Sequence, residues 1–130
     1  MTEPQPVVLL VEDDENLCGV VRRYLRSTGY AVETAGSAEA ASELLERGLR
    51  PDLVLLDLNL PGDTGWDLLR GPALTGAGSP PVVITSATTL SPKRLAEFHV
   101  AGYLPKPFPL ETLVATIERL TSEEDHPQPA

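Results

Sequence analysis

Short apolar runs recur along the chain and predict buried strands. The clearest runs are residues 7–11, 53–56 and 82–84, and two weaker candidates are residues 31–34 and 103–104. The three clear runs are rich in Val, Leu and Ile and do not alternate with polar residues. Strands of this kind are typical of a parallel sheet that helices cover on both faces.

Helical patterns fill the intervals between the predicted strands. Strands and helices therefore alternate, which predicts an α/β protein of (βα)5 type with right-handed crossovers and an open parallel sheet. The sheet and the helices on its two faces are expected to form a three-layer sandwich. The predicted helices span residues 15–27, 37–47, from Asp63 or Thr64 to Arg70, from Ser91 to about Phe98, and 109–120.

The remaining segments predict no further elements. Residues 71–81 are expected to form a loop, and its Gly-Ala-Gly precedes a strand, so it lacks the strand-to-helix geometry of a phosphate cradle. We expect residues 1–6 to be an N-terminal extension and residues 7–120 to form one domain. Residues 121–130 are expected to be a disordered tail or the start of a linker.

Composition and charge exclude some classes of function. The net charge of −9 disfavours direct binding to nucleic acid and to anionic membranes, because both repel an acidic surface. The single cysteine cannot form an intrachain disulfide and fits a reducing compartment. No apolar run approaches the roughly 18 residues of a membrane span. We therefore expect a cytoplasmic protein that does not contact the membrane.

Polar side chains follow four of the predicted strands. Glu12 and Asp13 follow the first, Asp57 the third, Ser86 the fourth and Lys106 the fifth. Each alone has an ordinary explanation: a turn or cap, a loop hydroxyl or a solvated lysine. Because the carboxyl ends of parallel strands meet at one edge, the set predicts a shared site.

The chemistry of that set points to phosphoryl transfer. Clustered carboxylates repel one another, so they must hold a cation or shift their pKa values. Oxygen ligands of this kind suit Mg²⁺. A carboxylate beside the metal can act as nucleophile, while a lysine and a hydroxyl contact the phosphoryl oxygens.

Four motifs carry a resemblance to a known family. They are LLVEDDE, PDLVLLDLNLPGDTGWDLL, VVITSA and GYLPKPF. Together they resemble the receiver domain of two-component response regulators, over about residues 7–120. The resemblance implies a flavodoxin-like fold with strand order 2-1-3-4-5. It also implies a phosphorylation-activated signalling switch in a phosphorelay.

The resemblance assigns roles around the acidic strand ends. It implies that Asp57 is the phosphoacceptor and that Asp13 and Asp57 ligate Mg²⁺ directly. The backbone carbonyl of Asn59 would be a third ligand, and Glu12 would act through water. Pro61-Gly62 matches the family's turn after the third strand.

The remaining roles concern the switch. Ser86 falls at the switch hydroxyl, followed by the small Ala87, and Tyr103 falls at the aromatic switch position. Lys106 matches the family lysine, which phosphorylation would draw into a salt bridge, and its bond to Pro107 is expected to be cis.

Two features of the sequence refine these expectations. In VEDDE, Glu12 and Asp13 should form the metal edge, whereas Asp14 and Glu15 should begin the first helix, where its dipole favours negative charge. Residues 99–102 stand where the family usually ends its fourth helix with Gly-Ala, so we expect that helix to be short or displaced.

The resemblance also implies partners. The donor would be a sensor histidine kinase or phosphotransfer protein, and the target a downstream effector protein or a tethered output domain. The switching face would comprise the fourth helix, fifth strand and fifth helix (the family's α4-β5-α5 face), which could also form a homodimer. We do not expect a turnover enzyme.

Two alternatives stay open at this stage. A degenerate receiver would act as an unphosphorylated protein-interaction module. A Mg²⁺-dependent aspartyl phosphatase is disfavoured, because such enzymes usually carry a second Asp as general acid where this chain has Asn59.

Overall fold

Five parallel strands form the sheet of the computed structural model, which describes residues 5–60, 65–76, 78–97 and 100–122. The predicted strand order of 2-1-3-4-5 and the flavodoxin-like fold are confirmed. The strands are β1 (Val7–Val11), β2 (Ala31–Ala35), β3 (Leu53–Asp57), β4 (Val82–Ser86) and β5 (Gly102–Pro105).

Helices cover both faces of this sheet. They are α1 (Glu15–Ser27), α2 (Ala38–Glu46), α3 (Gly65–Arg70), α4 (Pro72–Thr75), α5 (Pro92–Glu97) and α6 (Leu110–Ser122). Buried residues of α1 and α6 belong to one core cluster, and those of α2, α3 and α4 belong to a second. The three-layer arrangement is therefore as predicted. None of the helices in the described ranges is long and apolar enough to cross a membrane.

Strand residues alternate between the two core clusters. In β1, Val8 and Leu10 belong to the cluster of α1 and α6, whereas Leu9 and Val11 belong to the other. Successive side chains of a strand point to opposite faces, and here each face is covered. This double burial is the reason that the strands are continuous apolar runs rather than alternating ones.

The prediction that residues 71–81 form only a loop is wrong, because α4 lies within them. Gly71 is the N-cap and Pro72 follows it, where a proline has a suitable φ and no N–H left without a partner. Leu74 is buried in the second core cluster, which fixes the turn against the domain. The fourth and fifth predicted helices are therefore α5 and α6.

Several boundaries differ slightly from the prediction. Strands β3 and β4 extend to Asp57 and Ser86, and α6 continues to Ser122, into the predicted tail. Other predicted features lie outside the described residues: positions 1–4 of the extension, the Pro61-Gly62 turn, a helix start at Asp63 or Thr64, a helix end at Phe98, and the tail beyond Ser122.

Asp14 begins α1 as its N-cap. Its Oδ1 accepts hydrogen bonds from the backbone N–H groups of Asn16 (3.0 Å) and Leu17 (3.1 Å). Glu15 lies in the first turn, where the helix dipole favours an acidic side chain. The prediction that Asp14 and Glu15 begin the first helix is therefore confirmed.

Gly65 begins α3 in close contact with the end of β3. A Cβ atom at this position would lie 2.8 Å from the carbonyl oxygen of Asp57 and 3.0 Å from the Cα of Leu58. Both are backbone atoms, which cannot rotate away as a side chain can. The absence of a side chain at Gly65 therefore lets α3 pack directly behind Asp57.

We expect Asp14→Ala to lower the free energy of unfolding by about 1 kcal/mol, because two N–H groups of α1 lose their acceptor. Urea denaturation measures the change. Asp14→Asn is the matched control, since asparagine caps equally well and should retain most of the stability. Equal stabilities of the two variants would contradict the capping role.

We expect Gly65→Ala to lower the free energy of unfolding by about 1–3 kcal/mol, because the added methyl group must displace the backbone of β3. Gly19→Ala, in the middle of α1, is the control: apart from its chain neighbours and the nearby backbone of its own helix, no heavy atom lies within 4 Å of the added Cβ. That variant should gain about 0.5–1 kcal/mol. Denaturant titration measures the free energy of unfolding of both variants. Similar changes in the two variants would contradict the close contact inferred at Gly65.

Candidate functional site

Three carboxylates meet at the carboxyl edge of the sheet. Each of Glu12, Asp13 and Asp57 offers an oxygen, and these oxygens all lie within 4.8 Å of one another. Glu12 and Asp57 are only 5% and 2% exposed, whereas Asp13 is exposed. The structure therefore brings together the three acidic residues that the sequence placed at this edge.

The strand register explains this convergence. Val11 of β1 pairs with Leu56 of the neighbouring β3, so the next residues, Glu12 and Asp57, lie side by side. Leu10 and Leu55, two positions earlier in each strand, belong to the same core cluster. Because strand side chains alternate, Glu12 and Asp57 project on that same side of the sheet.

Lys106 joins the carboxylates from the end of β5. Its Nζ lies 2.8 Å from Glu12 Oε1 and 3.1 Å from Asp57 Oδ2. Its backbone N–H donates to the carbonyl of Ser86 (2.8 Å), and its peptide bond to Pro107 is cis, as predicted. These ion pairs are present in the unmodified chain. The salt bridge that phosphorylation would draw Lys106 into stays a prediction. The ends of β1, β3 and β5 thus hold the ammonium beside both acids.

Burial and ion pairing shift the pKa values of this group. Burial raises the pKa of Glu12, although the hydrogen bonds from Lys106 and from the backbone of Asp14 act in the opposite direction. Burial lowers the pKa of Lys106, but its hydrogen bonds to Glu12 and Asp57 outweigh that effect and raise it overall. Lys106 is therefore charged at neutral pH.

Both oxygens of Glu12 have partners within the protein. Oε1 accepts from Lys106, and Oε2 accepts from the backbone N–H of Asp14 at 3.1 Å. These contacts hold the carboxylate as a counterion of the lysine. They are consistent with the expectation that Glu12 contacts a metal through water, which stays a prediction.

A chain of hydrogen bonds leads from Asp57 to the two predicted switch residues. The backbone N–H of Asn59 donates to Asp57 Oδ1 (2.9 Å), and its side-chain nitrogen donates to Ser86 Oγ (3.4 Å). Ser86 Oγ also contacts Thr88 Oγ1 (2.8 Å). The Tyr103 hydroxyl donates to the Thr88 carbonyl (3.0 Å). Ser86 and Tyr103 are thus linked through Thr88.

Thr88 and Gly65 are two neighbours of this site that the sequence did not reveal. Thr88 follows Ser86 by two positions in a loop, a spacing at which hydroxyl side chains often bond to nearby backbone groups. The signal at Gly65 was a glycine at the start of a short helix. Neither signal is specific to a functional site.

The donor set fits a hard divalent cation. Mg²⁺ favours oxygen ligands, accepts one or two carboxylates and retains several waters. Asp13 supplies an exposed carboxylate, and Asp57 supplies a buried one beside it. With one ammonium against three carboxylates, the cluster retains negative charge for a cation to neutralise. The Asn59 carbonyl as a third ligand stays a prediction.

Comparison with known proteins gives a family match over most of the chain. The family model described as response regulator receiver domain matches residues 8–118. Response regulator MprA of Mycobacterium leprae is 37% identical over 115 residues, covering 87% of this chain and 50% of that protein. DNA-binding response regulator MtrA of Mycolicibacterium smegmatis is 38% identical over 122 residues, covering 92% and 53%. The chain thus spans about half the length of these curated relatives.

Solved structures share the fold. The non-phosphorylated HemR receiver domain of Leptospira biflexa is 34% identical with a TM-score of 0.81, covering 97% of this chain and 99% of that one. The signal receiver domain of a putative LuxO repressor from Vibrio parahaemolyticus is 25% identical with a TM-score of 0.83, covering 94% of each chain. The family match, the sequence relatives and the shared fold agree: this chain belongs to the receiver domains of two-component response regulators.

Proposed function

We propose that this receiver is a phosphorylation-activated switch that accepts a phosphoryl group on Asp57. The observation that carries the proposal is the setting of the Asp57 carboxylate. It is 2% exposed, one oxygen accepts from Lys106, the other accepts from Asn59, and two more carboxylates lie beside it. These contacts orient the Asp57 carboxylate, and Lys106 supplies a positive charge beside it for an incoming phosphoryl group.

The donor we propose is a phosphohistidine of a sensor kinase or a phosphotransfer protein. An Asp57 carboxylate oxygen forms a bond to phosphorus while the bond from phosphorus to the imidazole nitrogen breaks. The nitrogen recovers its electron pair, and Asp57 becomes an acyl phosphate. Lys106, 3.1 Å from Asp57 Oδ2, neutralises part of the charge on the transferred group.

Mg²⁺ is the cofactor that we propose for this step. Asp13 and Asp57 would ligate it directly, with the Asn59 carbonyl as a third protein ligand and Glu12 acting through water. When bound, the metal supplies positive charge to the phosphoryl oxygens. The clustering of the three carboxylates within 4.8 Å supports this assignment.

The output surface that we propose is the face of α5, β5 and α6. Ser86 would bind a phosphoryl oxygen, and Tyr103 would change its rotamer in response, which shifts a two-state equilibrium. Helix α5 has no buried residue and packs partly through the Arg94 guanidinium, 4.6 Å from the centre of the Trp66 ring. Few buried contacts make such a helix easy to rearrange.

The partner of this face would be a downstream effector protein or a tethered output domain, and a homodimer could use the same surface. One relative is described as DNA-binding. For the residues of this chain we propose no direct contact with nucleic acid or membrane, because their net charge is −9. We place the protein in the cytoplasm.

The two alternatives make different predictions for phosphate chemistry. A degenerate receiver would take no phosphoryl group, although the acidic cluster and Lys106 contacts favour a competent site. An aspartyl phosphatase would release phosphate repeatedly from a small ester. Asn59 cannot act as the general acid of such an enzyme, so we do not propose turnover.

We expect wild-type protein to gain the mass of one phosphoryl group when incubated with phosphoramidate and Mg²⁺, and Asp57→Asn to gain none. Intact-mass spectrometry measures the modification, and omission of Mg²⁺ should suppress it. Asp67→Asn is the matched control, since Asp67 is an exposed residue of α3. Equal modification of wild type and Asp57→Asn, or none in wild type, would contradict the proposed phosphoacceptor.

We expect Asp13→Asn to weaken Mg²⁺ binding by at least about tenfold, because a direct ligand loses its charge. Asp14→Asn removes the same charge from the adjacent residue but retains the helix cap, so its Mg²⁺ affinity should stay within about threefold of wild type. Isothermal titration calorimetry with MgCl₂ measures both. A larger loss of Mg²⁺ affinity in Asp14→Asn than in Asp13→Asn would show that the metal binds through Asp14, which would contradict the proposed ligands.

A further inference from the structure

We propose that Thr88 is a positioning residue for the switch, and that its hydroxyl holds Ser86 in the resting arrangement. The proposal rests on the proposed function, because it concerns the hydroxyl expected to bind the phosphoryl group. No motif in the sequence singles out Thr88. Its place is defined by hydrogen bonds to both predicted switch residues.

The hydroxyl of Ser86 is buried. The side chain is 0% exposed, so its hydrogen bonds must come from protein groups. Two groups donate to Oγ: the backbone N–H of Thr88 at 3.1 Å and the side-chain nitrogen of Asn59 at 3.4 Å. A hydroxyl oxygen has two lone pairs, so these donors fill its accepting capacity.

The hydrogen of the Ser86 hydroxyl has its partner in Thr88. The third contact of Ser86 Oγ is the 2.8 Å contact with Thr88 Oγ1. Because both lone pairs of Ser86 face donors, we assign its own hydrogen to the bond with Thr88 Oγ1. Ser86 has only one hydrogen to donate. It can therefore donate to a phosphoryl oxygen only after the bond to Thr88 is broken.

Thr88 also contacts Tyr103, the residue at the aromatic switch position. The Tyr103 hydroxyl donates to the carbonyl oxygen of Thr88 at 3.0 Å. Tyr103, Leu90 and Leu95 are partly buried side chains that pack against the second core cluster. Leu95 belongs to α5, and Leu90 lies just before it. One loop residue thus contacts both switch residues, with its side chain on Ser86 and its carbonyl on Tyr103. Release of Ser86 would free the residue that anchors Tyr103.

The hydroxyl bond therefore favours the unphosphorylated arrangement. A hydrogen bond of this kind changes an equilibrium by a modest factor, and Thr88 is solvent-exposed, which reduces the effect further. We expect Thr88→Val, which retains the branched shape but lacks the hydroxyl, to bind beryllofluoride about two- to fivefold more tightly than wild type. Thr88→Ser retains the hydroxyl and should bind like wild type.

The experiment is calorimetric titration of beryllofluoride into wild type, Thr88→Val and Thr88→Ser in the presence of Mg²⁺. Titration with Mg²⁺ alone is the second measurement, and its affinity should be the same in all three proteins because Thr88 does not belong to the carboxylate cluster. Damage to the fold would lower the affinity for beryllofluoride. A higher affinity in Thr88→Val that is absent in Thr88→Ser therefore cannot arise from such damage.

The outcomes separate this inference from the function on which it rests. If wild type does not bind beryllofluoride with Mg²⁺, the proposed function fails. If wild type binds but Thr88→Val binds equally or more weakly, the proposed function stands and the role of Thr88 is wrong. Tighter binding by Thr88→Ser, similar to that of the valine variant, would also contradict it, since the effect would then not depend on the hydroxyl.

Discussion

The ammonium of Lys106 lies between two buried carboxylates, and the chemistry of the site depends on this contact. Two unit charges about 4 Å apart near a protein surface interact by about 4 kcal/mol, so neighbouring carboxylates would oppose the register that brings them together. Lys106 compensates both Glu12 and Asp57 at 2.8 and 3.1 Å. Asp13 stays exposed to solvent, and the cluster retains net negative charge. That residual charge is what makes a divalent cation a fitting ligand.

The core fixes where these charges lie. Continuous apolar strands are buried on both faces, and their register allows no slip that would move Glu12 away from Asp57. Gly65 lets α3 approach the backbone of Asp57 closely. The carboxylate is therefore held by the packing of the domain, whereas α5, which has no buried residue, is free to respond. A rigidly held carboxylate at the proposed acceptor and a helix with few buried contacts at the proposed output face are therefore compatible within one sheet.

Much of the fold could be predicted from the sequence because its strands are buried on both faces. That pattern gave β1 its observed bounds, and the helical pattern of residues 15–27 gave those of α1. The parallel order of the strands placed Glu12, Asp13, Asp57 and Lys106 at one edge. Helix α4 was missed because a turn of Pro, Ala and Leu has no helical periodicity, and burial of Leu74 stabilises it. The Lys106 ion pair in the unmodified chain depends on the position of a flexible side chain. Likewise, the role inferred for Thr88 depends on hydrogen-bond geometry that no spacing reveals.

The most direct test is a crystal structure of the protein with Mg²⁺ and beryllofluoride. We predict that beryllium bonds to a carboxylate oxygen of Asp57, with the metal on Asp13 and Asp57 and on the backbone carbonyl of Asn59. Lys106 should contact a fluorine atom, and Ser86 Oγ should leave Thr88 Oγ1 for another fluorine. Beryllofluoride bound away from Asp57, or a metal ligated by Asp14 in place of Asp13, would contradict the proposed switch.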